Sequence, residues 1–220
     1  MIIAAITKNY SKQQLTTFFP GEGIDWRLSS DITAIPGAEA YFDLDFAGEP
    51  NRCAALDLLS PALIIVNAVT PTIREIGHPF VRINGWPGFL ERNIHELAVP
   101  DDLAASRVAT LYQHLGRGYH IVPDEPGMIS ARILSTIINE AFFTWEAGVS
   151  TKEEIDTAMR LGTNYPLGPF EWSKRIGLGQ IAGLLGVLSH SNPVYTPSPA
   201  LLREAGEGIG EGEKSIDARD

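Results

Sequence analysis

Short apolar runs alternate with helix-like segments through the first half of the chain. Ile2–Ile6 and Leu63–Val69 are almost wholly apolar, which is typical of central strands in a parallel sheet, because both faces of such strands are covered. Weaker runs predict further strands over Ile24–Leu28, Ala40–Phe46, Phe80–Asn84, Ile94–Val99 and Tyr119–Val122. The alternation predicts an α/β domain in which helices pack on a small parallel or mixed sheet.

Polar residues and glycine mark the ends of two predicted helices between these strands. Ser11 and Gln14 fit a capping box, in which each side chain binds the backbone N–H of the other residue. Asp101 or Asp102 caps a later helix, and Gly116 ends it.

The second half of the chain is helical in pattern. Ile129–Ala147 carries an apolar stripe that is wider than a surface helix needs, so we expect this helix to be covered on more than one side. Ser150 and Glu153 fit a second capping box, which predicts another helix directly afterwards.

These patterns divide the chain into three parts. Residues 1–124 form a predicted sheet domain, and residues 125–200 form a predicted all-α domain. Residues 201–220 are rich in glycine and glutamate and contain few apolar side chains, so we expect a flexible tail.

Composition narrows the classes of function. The net charge is −10, and so acidic a surface repels phosphate backbones, which argues against nucleic-acid binding. No apolar run approaches the roughly 20 residues that span a bilayer, so we expect no membrane insertion. A single cysteine, Cys53, fits a reducing cytosol and predicts a cytoplasmic protein. The histidines lack zinc-site spacing, so no metal site is expected.

Several ordered motifs in the second half are similar to those of the 3-hydroxyacyl-CoA dehydrogenase family. They keep the order and spacing of the family's helical C-terminal domain over about residues 123–178. The matching segments are Pro126–Arg132, Asn139–Ala141, Lys152–Met159, Tyr165–Glu171 and Ile176–Leu178.

The resemblance implies a fold and an activity. Family members transfer hydride between NAD and the C3 hydroxyl of an acyl-CoA, and a His–Glu pair acts as the base. Their sheet domain is Rossmann-like and holds the dinucleotide, while the helical domain forms a homodimer and one wall of the acyl-CoA cleft. We therefore expect a reduced Rossmann-like domain followed by a helical domain of this type.

The cofactor motif departs from the family pattern. Dinucleotide binding needs a glycine-rich turn after the first strand, where backbone N–H groups meet the pyrophosphate. The corresponding segment, Thr7–Ser11, contains no glycine. We therefore expect no cofactor-binding residues, and NAD only if an altered site still accepts it.

The catalytic positions also differ. One register aligns Asn84 with the family's catalytic histidine and Glu96, twelve residues later, with its glutamate. An amide cannot take up the hydroxyl proton, so this register removes the base. A second register instead uses His78 as the base. Glu96 and His78 are the candidate catalytic residues.

Other family positions are replaced as well. Val69 stands where the family has an active-site serine, although Thr70 is adjacent, and Ala131 stands in place of an asparagine. We expect five residues to line a cleft or bind substrate: Asp43, Asn67, Thr70, Asn84 and Trp86.

Charged residues suggest further contacts. Asp43 and Asp45 follow a strand on the same face, where mutual repulsion would raise the pKa of one of them. Arg82 and Arg92 are candidate partners for the phosphates of a CoA tail.

Three hypotheses follow for the function. The first is a non-catalytic relative, a pseudo-enzyme, that dimerises through the helical domain and binds an acyl-CoA or another small acid. The second is an active oxidoreductase of fatty-acid metabolism with an altered site. The third is an assembly or scaffold protein without a ligand. Fold resemblance alone does not decide among them.

Overall fold

The computed structural model describes residues 1–214, which divide into two compact units. The first unit is Met1–Ile129, and the second begins at Ser130. The division lies five residues after the boundary expected from the sequence.

One sheet of seven strands forms the frame of the first unit within the described residues. The strands are β1 (Ile2–Ile6), β2 (Asp25–Ser29), β3 (Ala38–Asp43), β4 (Leu63–Asn67), β5 (Val81–Ile83), β6 (Ile94–Ala98) and β7 (Gly118–Ile121). Their order is β2-β1-β3-β4-β5-β6-β7. All neighbours are parallel except β5 and β6, so β6 and β7 run opposite to the other strands. The predicted mixed, Rossmann-like sheet is confirmed.

Helices cover both faces of this sheet. They are α1 (Lys12–Phe18), α2 (Pro50–Asp57), α3 (Ile73–Ile76) and α4 (Asp102–Leu115). The predicted caps are confirmed: Ser11 and Gln14 form a capping box, Asp101 caps α4, and Gly116 ends it with φ 68°. The short helix α3 was not predicted; Thr72 and Glu75 form its capping box.

The strands place alternate side chains in two separate cores, because successive residues of a strand point to opposite faces. On one face, buried residues including Ile65, Ile83 and Leu97 pack with α1 and α4. On the other face, Val66 and its neighbours pack against α2, where Cys53 is a buried core residue.

The second unit contains helices α5 (Ser130–Glu146), α6 (Lys152–Thr163), α7 (Pro169–Ile176), α8 (Leu178–Ser189) and α9 (Pro199–Lys214). The predicted capping box is one residue too early, because Thr151 and Glu154 form it and the Ser150 hydroxyl also donates to Glu154. No helix among the described residues is both long and apolar enough to cross a bilayer.

Helix α9 corrects the prediction of a flexible tail from residue 201. Ala200, Leu201 and Ala205 recur on one side of this helix and are buried, so its first turns contribute to the core of the unit. Composition missed this because three small or apolar side chains at helical spacing are enough to bury one stripe. Residues 215–220 of the predicted tail lie outside the described residues.

Candidate functional site

One edge of the sheet gathers most of the predicted site residues. The parallel strands β1, β3, β4 and β5 all end at this edge, and β6 begins there because it runs the other way. Strand β1 lies between β2 and β3, so the chain reverses its direction of travel across the sheet at β1. Ligands of open α/β sheets bind at such an edge, close to the point of reversal.

The loop after β1 directs its hydrogen-bond donors at Asp45, a residue of the loop after β3. The carboxylate of Asp45 accepts from the backbone N–H of Lys8 at 2.5 Å, the side-chain amide of Asn9 at 2.9 Å and the hydroxyl of Thr7 at 3.4 Å. The Thr7 hydroxyl oxygen accepts from the backbone N–H groups of Asn9 and Tyr10. Side chains of the protein thus occupy the donors that would face a pyrophosphate.

Asp43, predicted to line a cleft, is instead a buried ion-pair partner. Its two oxygens accept from Arg52 Nε at 2.7 Å and Nη2 at 2.6 Å, and the aspartate is fully buried. Burial raises the pKa of Asp43, and the hydrogen bonds from Arg52 oppose that shift. The expected repulsion from Asp45 contributes least, so burial is the main cause of the raised pKa.

Asn67 joins the ends of two strands that flank its own. Its amide nitrogen donates to the carbonyl oxygens of Leu44 and Gly85, each at 3.3 Å, and its amide oxygen accepts from Gly85 N at 2.9 Å. A Cβ atom at Gly85 would lie 2.8 Å from the Asn67 side chain, so a larger residue there would displace that side chain. The side chain predicted to bind substrate therefore fixes the start of the loop after β5.

Asn84 and Glu96 are cross-strand neighbours. The antiparallel register of β5 and β6 pairs Ile83 with Leu97, and Asn84 N donates to Glu96 O at 3.2 Å one position further on. Residues opposite each other in a sheet project to the same face. The two positions that the first register assigned to the His–Glu pair therefore lie side by side.

The two side chains have different surroundings. Asn84 is 3% exposed; its amide oxygen accepts from Trp86 N at 3.4 Å, and its amide nitrogen is buried without a hydrogen-bond partner. Glu96 Oε2 accepts from Ile129 N at 3.2 Å. Glu96 therefore also anchors the last residue of the first unit.

His78 does not join this pair. It precedes β5, so it lies at the opposite edge of the sheet, where the parallel strands begin. Its Nδ1 is 2.5 Å from Asp57 Oδ2, and its ring stacks on Phe80 with 5.3 Å between centroids. His78 therefore lies apart from Asn84 and Glu96.

The loop from Asn84 to Arg92 is held together by aromatic contacts. Trp86 is buried and packs edge-on against Phe89, and the Arg92 guanidinium lies 3.9 Å above the Phe89 ring. Trp86 is thus a packing residue of this loop. Thr70, also predicted for the cleft, lies on another segment, the turn after β4, where it is half-buried.

Arg82, expected to bind CoA phosphate, is wholly inside the protein. Its guanidinium donates to the carbonyl oxygens of Ala68 and Val69 and to the carboxylate of Asp124, which also accepts from Ile73 N. An arginine with its donors used and no exposure cannot reach a ligand. Residue type alone predicted a surface position; the buried ion pair explains the difference.

His95 is a buried polar residue that the sequence analysis did not single out. Its ring lies 3.1 Å from both the Tyr112 hydroxyl and the Leu90 carbonyl oxygen. Burial lowers the pKa of His95 to about 4, so the ring is neutral near pH 7. The signal available in the sequence was its place between Ile94 and Leu97 on a strand whose alternate positions face the core.

A cavity of about 650 Å³ lies at the opposite edge from these residues, where β1, β3 and β4 begin. Its lining includes Met1, Ala38, Tyr41, Leu63 and Arg107 and none of the predicted site residues. Among the described residues, no group of three or more histidine, cysteine or acidic side chains is placed to hold a metal ion.

Comparisons with known proteins agree with the motifs in the second unit and extend beyond it. Residues 127–213 match the family described as 3-hydroxyacyl-CoA dehydrogenase, C-terminal domain. The chain is 41% identical over 187 residues to the 3-hydroxyadipyl-CoA dehydrogenase of Escherichia coli, covering 82% of this chain. A match of 187 residues is longer than the second unit, so it includes much of the sheet unit.

Two further proteins similar to this chain are also named as hydroxyacyl-CoA dehydrogenases. The mitochondrial hydroxyacyl-coenzyme A dehydrogenase of Homo sapiens is 38% identical over 97 residues, or 40% of this chain. The crystal structure of (S)-3-hydroxybutyryl-CoA dehydrogenase from Ralstonia eutropha superposes with a TM-score of 0.69 at 24% identity, covering 84% of this chain and 70% of that one. The chain spans only 39% of the length of the Escherichia coli relative and 31% of the human one.

Proposed function

Because the chain belongs to the 3-hydroxyacyl-CoA dehydrogenase family, we propose that it binds an acyl-CoA, or another small acid, without NAD-dependent hydride transfer. Under this proposal the protein retains the family's binding of the thioester and has lost its binding of the dinucleotide.

The carboxylate of Asp45 carries this proposal. A pyrophosphate at the end of β1 would need the N–H of Lys8 and the other donors of that loop, and Asp45 already accepts from them. The incoming phosphates would also meet a negative charge at that point. Since like charges repel strongly at contact distance, bound NAD is disfavoured on two separate grounds.

The replacement of the base supports the same conclusion. The resemblance assigns the proton acceptor to Asn84, and an amide has no basic site for a hydroxyl proton. Glu96 stands opposite, but its side chain already accepts from the backbone of Ile129. A site with neither base nor cofactor can bind the acyl group without oxidising it.

An assay with NADH and acetoacetyl-CoA tests the proposal. We expect no consumption of NADH at high protein concentration, and a rise in melting temperature with CoA thioesters but none with NADH. NADH consumption that disappears in Glu96→Gln would instead establish the second hypothesis, an active oxidoreductase, which the names of the relatives favour. No stabilisation by any thioester would favour the scaffold hypothesis.

We also propose a homodimer formed through the helical unit. Its support is the exposure of large apolar side chains on α5 and α6, where Ile133 is 53% and Leu161 is 83% exposed. Exposed apolar side chains of this size favour burial against a partner. Light scattering is expected to give about twice the chain mass of 23.9 kDa, and a monomer at micromolar concentration would refute this part.

A further inference from the structure

The cavity at the starts of β1, β3 and β4 is large enough for a small organic ligand. Its volume of about 650 Å³ lies within the range of about 300–1,000 Å³ that is usual for ligand pockets, which are mostly apolar. Leu59, Leu63 and Leu111 belong to its wall. Leu58 also lines it and is 84% exposed, so a ligand with an apolar body would remove this side chain from water.

Three hydroxyl groups of the wall are already used within the protein. Tyr41 OH accepts from Ile35 N at 2.7 Å. On α4, Ser106 Oγ donates to Asp102 O at 2.9 Å, and Thr110 Oγ1 donates to Ser106 O at 3.1 Å. Because these hydroxyls have partners, an apolar ligand body beside them leaves no polar group unsatisfied.

Arg107, on α4, supplies the positively charged side chain among the described residues of the wall. Its Nη2 donates to Pro61 O at 2.7 Å, and it forms no ion pair with any described side chain. A guanidinium has five N–H groups, so most of those of Arg107 are available to a ligand. The bond to Pro61 holds the group in the wall beforehand, which lowers the entropy cost of binding.

Glu39 supplies a negative charge to the same wall. It is the extra residue at a β-bulge, because Ile2 lies opposite Ala38 and Ile3 lies opposite Ala40. Its side chain is exposed and does not pair with Arg107. A second negative charge on a ligand would be repelled by this carboxylate, so the wall favours an anion with one charge.

We propose that this cavity binds an aliphatic monocarboxylate, with its carboxylate paired with Arg107 and its chain lying along Leu59, Leu63 and Leu111. The planar guanidinium fits a carboxylate through two parallel hydrogen bonds. The cavity lies at the edge of the sheet opposite to Asn84 and Glu96, so this ligand is separate from the proposed thioester and does not depend on it.

The test compares decanoate with decanol, which share one aliphatic chain and differ in the head group. Calorimetry on the full chain, at concentrations below micelle formation, measures both affinities. We expect one decanoate per chain, bound at least about tenfold more tightly than decanol, because a charge-assisted pair is added to the same apolar contact. Arg107→Met should remove this preference and Arg107→Lys should retain part of it, whereas Glu39→Gln should tighten the binding of decanoate.

Arg27→Met is the matched control, because it removes the same charge from an exposed arginine on β2 that pairs with Asp25 and does not line the cavity. It should keep the full preference for decanoate. Ser106→Trp places a ring in the cavity from an exposed position on α4 and should weaken both ligands. Melting temperatures should show that all of the variants fold.

Three results would overturn this inference. The first is equal binding of decanoate and decanol by the wild-type protein. The second is binding of several molecules per chain that Ser106→Trp does not weaken, which would be non-specific adsorption. The third is displacement of decanoate by acetoacetyl-CoA, which would place the acid in the thioester site. Failure of acetoacetyl-CoA to bind would overturn the proposed function and leave this inference standing.

Discussion

Two loops meet at the same edge of the sheet and differ in what their hydrogen-bond donors face. In the loop after β1, Asp45 accepts from Thr7, Lys8 and Asn9. In the loop after β5, the side-chain amide nitrogen of Asn84 is buried and has no acceptor among the described residues. A carboxylate of the protein itself satisfies the donors of the first loop, whereas the second loop contains a buried donor without an acceptor. The comparison teaches that the hydrogen-bond donors at one edge of a sheet are satisfied loop by loop, so the protein can fill one loop and leave a donor open in the next.

The largest expected effect is on stability, and it concerns Arg82 on β5, the strand that leads into the second loop. Arg82→Met should lower the free energy of unfolding by about 3–5 kcal/mol, because it leaves Asp124 and two buried carbonyl oxygens without their donor. Urea denaturation measures the change, with Arg27→Met as the exposed control. A loss below about 1 kcal/mol would show that water replaces the Arg82 contacts.

The second prediction concerns His95, which binds the carbonyl oxygen of Leu90 within the second loop. Its pKa is lowered to about 4 when folded, so on acidification the unfolded chain takes up the proton first, and stability falls as the pH drops from 6.5 towards 4. Between pH 7 and pH 5 the loss should be about 2 kcal/mol.

Unfolding by urea at several pH values measures this slope. His95→Gln should reduce it, whereas His120→Gln, a change at an exposed histidine, should leave it as in the wild type. An unaltered slope in His95→Gln would mean that other groups cause the acid sensitivity.

The third prediction concerns removal of the Asp45 carboxylate from the first loop, the one after β1. Asp45→Ala should cost about 1 kcal/mol of stability, because the donors return to water rather than remaining buried. Inorganic phosphate should then raise the melting temperature of the variant more than that of the wild type, with chloride at equal ionic strength as the reference. Asp31→Asn, at an exposed position, controls for net charge. Identical responses in Asp45→Ala and wild type would show that Asp45 is not what closes this loop.

The last prediction is that one substitution produces no new activity. Asn84→His restores an imidazole opposite Glu96, yet we expect no oxidation of NADH with acetoacetyl-CoA, because the first loop still faces Asp45. Absorbance of NADH measures it. Turnover by this variant would mean that the missing base, and not the loop after β1, prevents activity in the wild-type protein.

The sequence predicted features that depend on neighbours along the chain. The family resemblance supplied the register that aligned Asn84 with Glu96, while apolar runs located β1 and β4 and the Ser11 capping box located α1. These signals are local or rest on strand alternation, which sequence records directly.

The rest depends on pairing between distant segments. Asp45 meets Lys8 only because β1 and β3 are parallel neighbours, and the two residues are 37 positions apart. Arg82 reads as a surface residue until the chain returns with Asp124, 42 positions later. Neither contact has a local signature, so the closed state of the first loop and the burial of Arg82 had to come from the structure.

The reversal of β6 makes the chemistry beside Asn84 a question of strand alignment. Along β6, His95 projects to the core that contains Tyr112, while Glu96 projects to the other face, opposite Asn84. Since neighbouring residues alternate between faces, a slip by a single residue would exchange the two, setting an imidazole beside the amide and driving a carboxylate among aromatic rings. An insertion or deletion between Arg92 and Ile94 would thus change which side chain of β6 lies beside Asn84 and faces a ligand. The residues of β6 themselves would stay the same.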